Sequence, residues 1–378
     1  MLPLLDEDQA FFRDTTARFL DEFAPADEMR RLRGDPAGFD RDYWRRGAEL
    51  GWTSFLVAED HGGGSISGQG AVDLTLVAHE FGRHAAPGPL LATNVVAGAL
   101  SDAGGSHADV LAGLVAGDLV ATWCHGEPAP GDGLGVVGLT VRADGGDVVL
   151  DGVKRPVEAA GSADHLLVTG RTETGLIQVL VPADADGITI EPLKGVDLSR
   201  RFSTVTFAGV RVPAEAVVGE PDDTHAAVER QLQHALVIAN AESVGALQAG
   251  FDMTVEWSFD RYSFGRPLAS YQALKHRFAD MKTWLEAGHA VSDAGAAAVA
   301  AGDEDAAELV SAGKAYIGDR GNELLQDCVQ IHGGIGVTFE HDLHLFLRRV
   351  MVNGAVYGTV RDHLWRVADL AEQREAAA

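Results

Sequence analysis

The sequence predicts an α+β protein built from three consecutive regions: helical, then sheet, then helical. Three observations carry that expectation. Apolar residues recur at helical spacing through residues 5–117, short β-branched runs separated by turns fill 118–220, and long apolar-rich stretches resume after 222. At about 100–200 residues per domain, 378 residues suit two or three domains. The expected domains are 1–117, 118–220 and 221–378.

In the first region Leu5, Phe11, Phe12, Phe19 and Leu20 mark one helix, and Ala71 to Phe81 and Leu90 to Leu100 mark two more. His61-Gly62-Gly63-Gly64 reads as a loop between them. In the second, Val136, Val148, Val149, Leu166 to Val168, Val179 to Val181, Ile188 and Ile190 are cut by turns such as Asp144-Gly145-Gly146-Asp147. Many short strands at close spacing indicate an antiparallel barrel or sandwich. In the third, Ala226 to Trp257 is a proline-free run; further helices follow Pro267, span Ala306 to His332 and run from Asp342 to Glu372.

Composition narrows the function. Thirty Lys and Arg against 56 Asp and Glu give a formal net charge of −26. Such a polyanion is repelled by nucleic-acid backbones and anionic lipid, which argues against both as partners. Apolar stretches fall short of the roughly 20 residues that span a bilayer. The N-terminal MLPLLDEDQAFF lacks a basic stretch followed by an apolar core, so it does not read as a signal peptide. Two cysteines, Cys124 and Cys328, exclude a disulfide scaffold or a cysteine zinc site. These features describe an acidic cytoplasmic protein.

Several motifs reduce to structure. Gly133 to Gly138 fits G-x-G-x-x-G, but Leu139 to Ala143 continues as a strand where a dinucleotide fingerprint needs a helix. It reads as a glycine-rich β-loop. The glycine run after His61 lacks the G-x-S-x-G elbow that an esterase oxyanion loop requires. His341 and His344 have no third ligand nearby, so no metal site is expected. Two segments are richer. Arg261-Tyr262-Ser263-Phe264-Gly265-Arg266-Pro267 turns between two helices and sets cations beside aromatics. Gln330-Ile331-His332-Gly333-Gly334-Ile335-Gly336 ends another helix with amides free for an anion.

Together with Leu50-Gly51-Trp52, Glu59 to Gly63, Glu80-Phe81-Gly82-Arg83, Val210 to Pro213, Val218-Gly219-Glu220 and Tyr271-Gln272-Ala273-Leu274, these segments resemble the acyl-CoA dehydrogenase family over nearly the whole chain. The resemblance implies an N-terminal helical domain, a middle β-barrel and a C-terminal four-helix bundle, assembled as a tetramer. It implies FAD-dependent oxidation of an acyl-CoA thioester to the 2-enoyl-CoA, with an electron-transfer-flavoprotein-type acceptor. A carboxylate takes the α-proton in such enzymes, while FAD carries the redox chemistry. By resemblance Arg261, Phe264, Gln272, Gln330, Gly333 and Gly334 reach the pyrophosphate and adenosine of an FAD bound mainly in a neighbouring subunit.

The sequence departs from the family where the chemistry sits. The family's Tyr-Glu-Gly-Thr becomes Val356-Tyr357-Gly358-Thr359, so Tyr357 stands at the base position. A phenol, with an ordinary pKa of about 10, is a poor base at neutral pH. The other family position for the base matches Ala235. Glu242 lies two helical turns beyond it and reads either as a displaced base or as a buried acid paired with an arginine. The flavin-covering Trp-Ile-Thr becomes Pro156-Val157-Glu158, and Thr-Glu-Pro-x-x-Gly-Ser-Asp becomes Gly126 to Gly133. This asymmetry implies one subunit of an α2β2 enzyme, of the kind that degrades steroid side chains, completing a partner's FAD site. The alternatives are a homotetramer that uses Glu242 and a non-catalytic CoA-ester-binding relative.

Overall fold

A computed structural model describes residues 5–104, 107–128 and 136–377. The glycines Gly133 and Gly135 of the G-x-G-x-x-G stretch lie outside the described residues.

The N-terminal region comprises α1 (Glu7–Phe23), α2 (Ala26–Leu32), α3 (Arg41–Glu49), α4 (Gly70–His84), α5 (Leu90–Asp102) and α6 (Ala108–Val115). A capping box starts α1: the Gln9 amide donates to the Asp6 carboxylate at 2.7 Å, and the Asp6 amide donates to the Gln9 side chain at 3.3 Å. The glycine run after His61 is a loop, closed against α4 by the buried Asp73, which accepts from the Ile66 and Ser67 amides at 2.7 and 2.8 Å. Phe19, Tyr43, Trp44, Trp52 and Phe81 form the aromatic core of this region. Every residue of α5 from Leu90 to Ser101 is buried, and its polar members are bonded: Asn94 donates to the Trp52 and Leu90 carbonyls and Ser101 accepts the Ala58 amide.

The middle region is one curled sheet of β1 (Ala121–Cys124), β2 (Thr140–Asp144), β3 (Asp147–Glu158), β4 (His165–Arg171), β5 (Leu176–Pro182), β6 (Ile188–Pro192) and β7 (Phe202–Pro213). The order is β1-β4-β2-β3-β7-β6, with β5 also on β4. Most pairings are antiparallel, as expected; β1–β4 and the single β2–β4 pair are parallel. The chain reaches β4 only after the β2–β3 hairpin, the long crossover that a parallel neighbour needs. Val136, expected in a strand, lies before β2 and is exposed. Pro156 falls where the β3–β7 register skips between Lys154 and Val157, a break in the ladder where a residue without an amide hydrogen is tolerated.

The C-terminal region holds α7 (Thr224–Asp260), the two-residue strands β8 (Tyr262–Ser263) and β9 (Arg266–Pro267), α8 (Gln272–Ala301), α9 (Ala306–His332), α10 (Leu343–Asn353) and α11 (Val360–Ala377). One continuous helix was expected from 342 to 372. It is broken at 354–359, where Tyr357 (φ +54°) and Gly358 (φ +96°) turn left-handed and the Asp362 carboxylate caps α11 through the Thr359 amide at 2.8 Å. Among the described residues no helix is long and apolar enough to cross a membrane, and no group of three or more His, Cys, Asp or Glu is placed to hold a metal.

Helices α4 and α7 meet backbone to backbone. A Cβ on Gly82 would lie 1.8 Å from the Glu242 carbonyl oxygen, and one on Gly245 would lie 1.9 Å from that of His79. Rigid backbone on both sides cannot yield to a methyl group. Gly245→Ala is therefore expected to cost about 3 kcal/mol in urea denaturation. An unchanged midpoint would show that the two helices have room to separate.

Candidate functional site

Two polar assemblies stand out: a buried junction between the three regions, and an exposed corner at one end of the helical bundle.

At the junction the loop before β7 folds on Asp197, whose carboxylate accepts the Ser199 and Arg200 amides at 2.9 and 3.2 Å. This aims Arg200 inward. Its Nε and Nη2 grip Glu158 at 2.6 and 2.5 Å, and its Nη1 contacts Glu242 at 3.3 Å and the Asn353 side chain. Arg349 of α10, fully buried, spans the other side. It reaches Asp197 at 2.7 Å and Glu242 at 2.6 Å, and its Nη2 donates to Ser199 Oγ and to the carbonyls of Ala85 and Ala86 at 2.7, 2.9 and 3.0 Å. Bidentate guanidinium–carboxylate pairing is the geometry in which a buried ion pair comes nearest to offsetting its desolvation. Glu242 Oε2 also accepts from Asn353 Nδ2 at 2.9 Å, so both oxygens of the candidate base are engaged.

Lys314 lies beside this cluster. Its Nζ donates to the Asn353 carbonyl and, at 2.9 Å, to that of Val356. Burial, and then the Arg200 charge, pull its pKa down to about 7. Asp197 goes the other way: burial acts to raise it, but the Arg349 guanidinium, assisted by Arg200 and the Ser199 amide, holds it down to about 2.

Next to the junction Tyr357 closes a cavity of about 80 Å³ lined by Trp123, His125, Glu127, Pro156, Glu158 and Phe202. The Tyr357 ring stacks on Trp123 (5.7 Å, 14°), and Trp123 stacks on His125 (4.5 Å, 21°). Trp123 is pinned by donating to Thr169 Oγ1 at 2.9 Å. A left-handed backbone at an aromatic residue is strained and persists only where neighbours fix it. Here Lys314 holds the Val356 carbonyl, while His363 Nε2 lies 2.8 Å from that of Tyr357. Burial, followed by the Glu158 charge, raises the phenol's pKa above its ordinary value, so it is a hydrogen-bond donor and not a proton acceptor at neutral pH.

The two acids lining this cavity are both committed. Glu158 is held by Arg200. Glu127 pairs with the buried Lys154 at 2.6 Å and accepts the Gly138 and Leu139 amides at 2.8 and 3.0 Å. Among the described residues of the cavity neither carboxylate is free of a cation.

The six residues expected to hold a dinucleotide gather at the bundle end. Arg261 lies 6.0 Å over the Trp257 ring, which stacks on His332 at 5.3 Å and so joins the ends of α7 and α9. Arg277 of α8 pairs with Asp327 of α9, bringing Gln272, the first residue of α8, beside the last turn of α9 with Gln330. Gly333 (φ +67°) and Gly334 follow, both exposed. The β8–β9 hairpin turns on Phe264 and Gly265, both left-handed (φ +49° and +79°), and the Phe264 ring is 98% exposed. Among the described residues no carboxylate is paired with Arg261. Arg261, the exposed backbone at Gly334 and the N-terminus of a long helix suit a phosphate-bearing ligand with a flat ring.

Sequence reasoning found Glu242, Tyr357, Glu158 and the corner. It missed Arg200, Arg349, Asp197, Asn353, Lys314 and the Trp123 stack. The available signal was charge inside apolar runs: Arg349 stands in Phe346-Leu347-Arg348-Arg349-Val350, and Lys314 among Ala, Gly and Ser.

The chain matches two family models: acyl-CoA dehydrogenase, N-terminal domain, over residues 6–117, and acyl-CoA dehydrogenase, C-terminal domain, over 225–369. It is 27% identical over 365 residues to acyl-CoA dehydrogenase IpdE2 of Mycolicibacterium smegmatis, covering 96% of this chain and 98% of that one. A variant of the Tcur3481–Tcur3483 steroid ACAD superposes with a TM-score of 0.88 at 26% identity, covering 98% of this chain and 99% of that one. A chain of the ChsE4–ChsE5 complex of Mycobacterium tuberculosis has the same fold, with a TM-score of 0.85 at 24% identity and 97% of each chain covered.

The junction has a defined pH signature. Asp197's carboxyl sits at about 2, below its ordinary 3.8. Its contribution is present above roughly pH 4 and lost as pH falls towards 2. Asp197→Asn should remove that part of the acid unfolding curve. Arg349→Met, which takes from Asp197 its paired guanidinium and from Glu242 one of its two, should cost about 3–5 kcal/mol in urea at pH 7. Glu242→Gln should cost less than half of that, since each arginine keeps another carboxylate. Equal losses for the two variants would contradict this assignment of charge.

Proposed function

This chain belongs to the acyl-CoA dehydrogenase family, and we propose that it works as one subunit of a hetero-oligomeric, FAD-dependent acyl-CoA dehydrogenase, completing the FAD site of a partner subunit that supplies the catalytic base. The reaction is the α,β-dehydrogenation of an acyl-CoA thioester to the 2-enoyl-CoA, with electrons passing on to an electron-transfer-flavoprotein-type acceptor.

The carrying observation is the state of the chain's own ring pocket. Tyr357 stands where the base belongs and is stacked on Trp123, while Glu127 and Glu158 are bound to Lys154 and Arg200. Among the described residues no group there is poised to take an α-proton, and Pro156 offers no aromatic ring to cover a flavin. The pocket therefore does not fit an isoalloxazine and a substrate together. Glu242, bound to two arginines and an amide, serves on this reading as the anion that neutralises the junction.

The corner does fit FAD. Arg261 and the amide of Gly334 would hold the pyrophosphate, the Gly333 amide being spent on the Val329 and Gln330 carbonyls at the end of α9; Gln272 and Gln330 would hydrogen-bond to it or to the adenosine, and Phe264 would lie against a ring. When bound, FAD supplies the hydride acceptor; these residues supply binding and orientation. The likeness to a steroid ACAD named for two components supports a two-component assembly and a bulky acyl group.

Co-expression with a second family subunit, followed by a flavin count, tests the reading. One FAD per two chains is expected, and the chain purified alone should be colourless and inactive. Arg261→Gln should weaken FAD retention in the complex about tenfold, the scale of one lost charged hydrogen bond. One FAD per chain with turnover in the lone protein would overturn it.

A further inference from the structure

The corner is reached from an unexpected direction, the N-terminal helical region. Arg30 of α2 donates through Nε to the Phe339 carbonyl at 3.3 Å and through Nη2 to the Glu340 carbonyl at 2.8 Å, and it pairs with the Asp342 carboxylate. Its Nη1 is anchored on its own helix by Asp27 at 3.0 Å. One turn on, Arg33 lies over the Phe339 ring at 5.1 Å. The far side of this grip is packed as well: Phe339 stacks on His344 at 4.9 Å and 17°.

The gripped segment, 339–342, directly follows the Gly333–Val337 turn. It also connects to Arg261 through rings. His341 packs edge-on to His332 at 4.6 Å, His332 stacks on Trp257 at 5.3 Å, and Arg261 lies over Trp257. Burial lowers the pKa of both imidazoles, so the pair is uncharged at neutral pH and its close packing meets no repulsion. A continuous line of contacts therefore runs from α2 to both halves of the corner. The glycine turn is held at its two ends, by the Gly333 amide on the Val329 and Gln330 carbonyls and by Thr338 on the Ile335 carbonyl, but its outer side is bare: Gly333 and Gly334 have no atom within 4 Å of where a Cβ would stand, and Ile335 and Val337 are exposed.

We propose that Arg30, with Arg33, is a positioning residue for nucleotide binding: the α2 arginines clamp segment 339–342 so that the Gly334 amide and Arg261 are held in the arrangement that receives a dinucleotide pyrophosphate. This rests on the reading of the corner as a dinucleotide site. A guanidinium is suited to the task because its planar fork serves two carbonyls and a carboxylate at once, which a lysine ammonium on a flexible stem does not.

Two measurements test the clamp, one without nucleotide and one with it. In the full chain, Arg30→Gln should speed amide hydrogen exchange in segment 333–342 about tenfold, with the rest of the bundle unchanged, since losing one charged hydrogen bond shifts a local opening equilibrium by that order. Arg33→Leu should do the same more weakly. In the complex with the partner subunit, Arg30→Gln should raise the FAD dissociation constant about tenfold. Arg30→Lys should fail to restore it. Arg45→Gln, on the surface of α3 where Arg45 pairs with Asp42, is the control.

Unchanged exchange in Arg30→Gln, or acceleration equal to that of the control, overturns the clamp. Faster exchange with unchanged FAD affinity, in a complex that Arg261→Gln does weaken, overturns the positioning role while the dinucleotide reading stands. If Arg261→Gln also leaves FAD affinity intact, the dinucleotide reading fails and this inference falls with it.

Discussion

Arg349 is the constraint on which the molecule's assembly depends. A fully buried guanidinium costs several kcal/mol to desolvate, and only near-complete satisfaction makes it tolerable. Its partners come from every region: the Ala85 and Ala86 carbonyls after α4, Asp197 and Ser199 before β7, and Glu242 on α7. The three regions therefore cannot rotate past one another without stranding that charge. The same requirement fixes the end of α10, and with it the strained turn that presents Tyr357 to the middle region.

The junction and the corner use charge in opposite ways. Among the described residues each acid of the junction is answered inside the chain, as are the two carboxylates of the neighbouring cavity. In the corner Arg261 and the Gly333–Gly334 backbone are exposed, and an aromatic ring stands clear of the surface on a left-handed hairpin tip. On the function proposed above, a pocket neutralised from within and an outward-facing cationic corner suit a chain that serves chemistry carried out in a partner.

Much of the architecture was legible in the sequence because it is written locally. Helical spacing marked α1, α4, α5 and α7, the Asp-Gly-Gly-Asp turn marked the β2–β3 hairpin, and the corner residues lie close together in two short segments. Glu242 was conspicuous as an acid inside an apolar helix. Its partners were not, because Arg349 lies 107 residues away and Asp197 is 152 residues from Arg349. Such pairings leave no periodic trace. At the break between α10 and α11 the local signals are Gly358 and the Asp362 cap, while the left-handed Tyr357 is held from outside the turn by Lys314 and His363. The parallel β1–β4 pairing was hidden because strand composition says nothing of direction.

The position of Arg349 along the chain also bears on how the protein is made. Synthesis runs from the N-terminus, and domains tend to fold as they emerge. The acids Asp197 and Glu242 leave the ribosome well before the Arg349 guanidinium that accompanies them into the interior. Until α10 arrives they remain hydrated, and the faces that will bury them stay apart. The helical region, the sheet and α7 can each form early, but their closure against one another waits for the last tenth of the polypeptide. A nascent chain truncated ahead of α10 is thus a string of separately structured parts with wet seams, open to chaperones and to a sister subunit before the final seal.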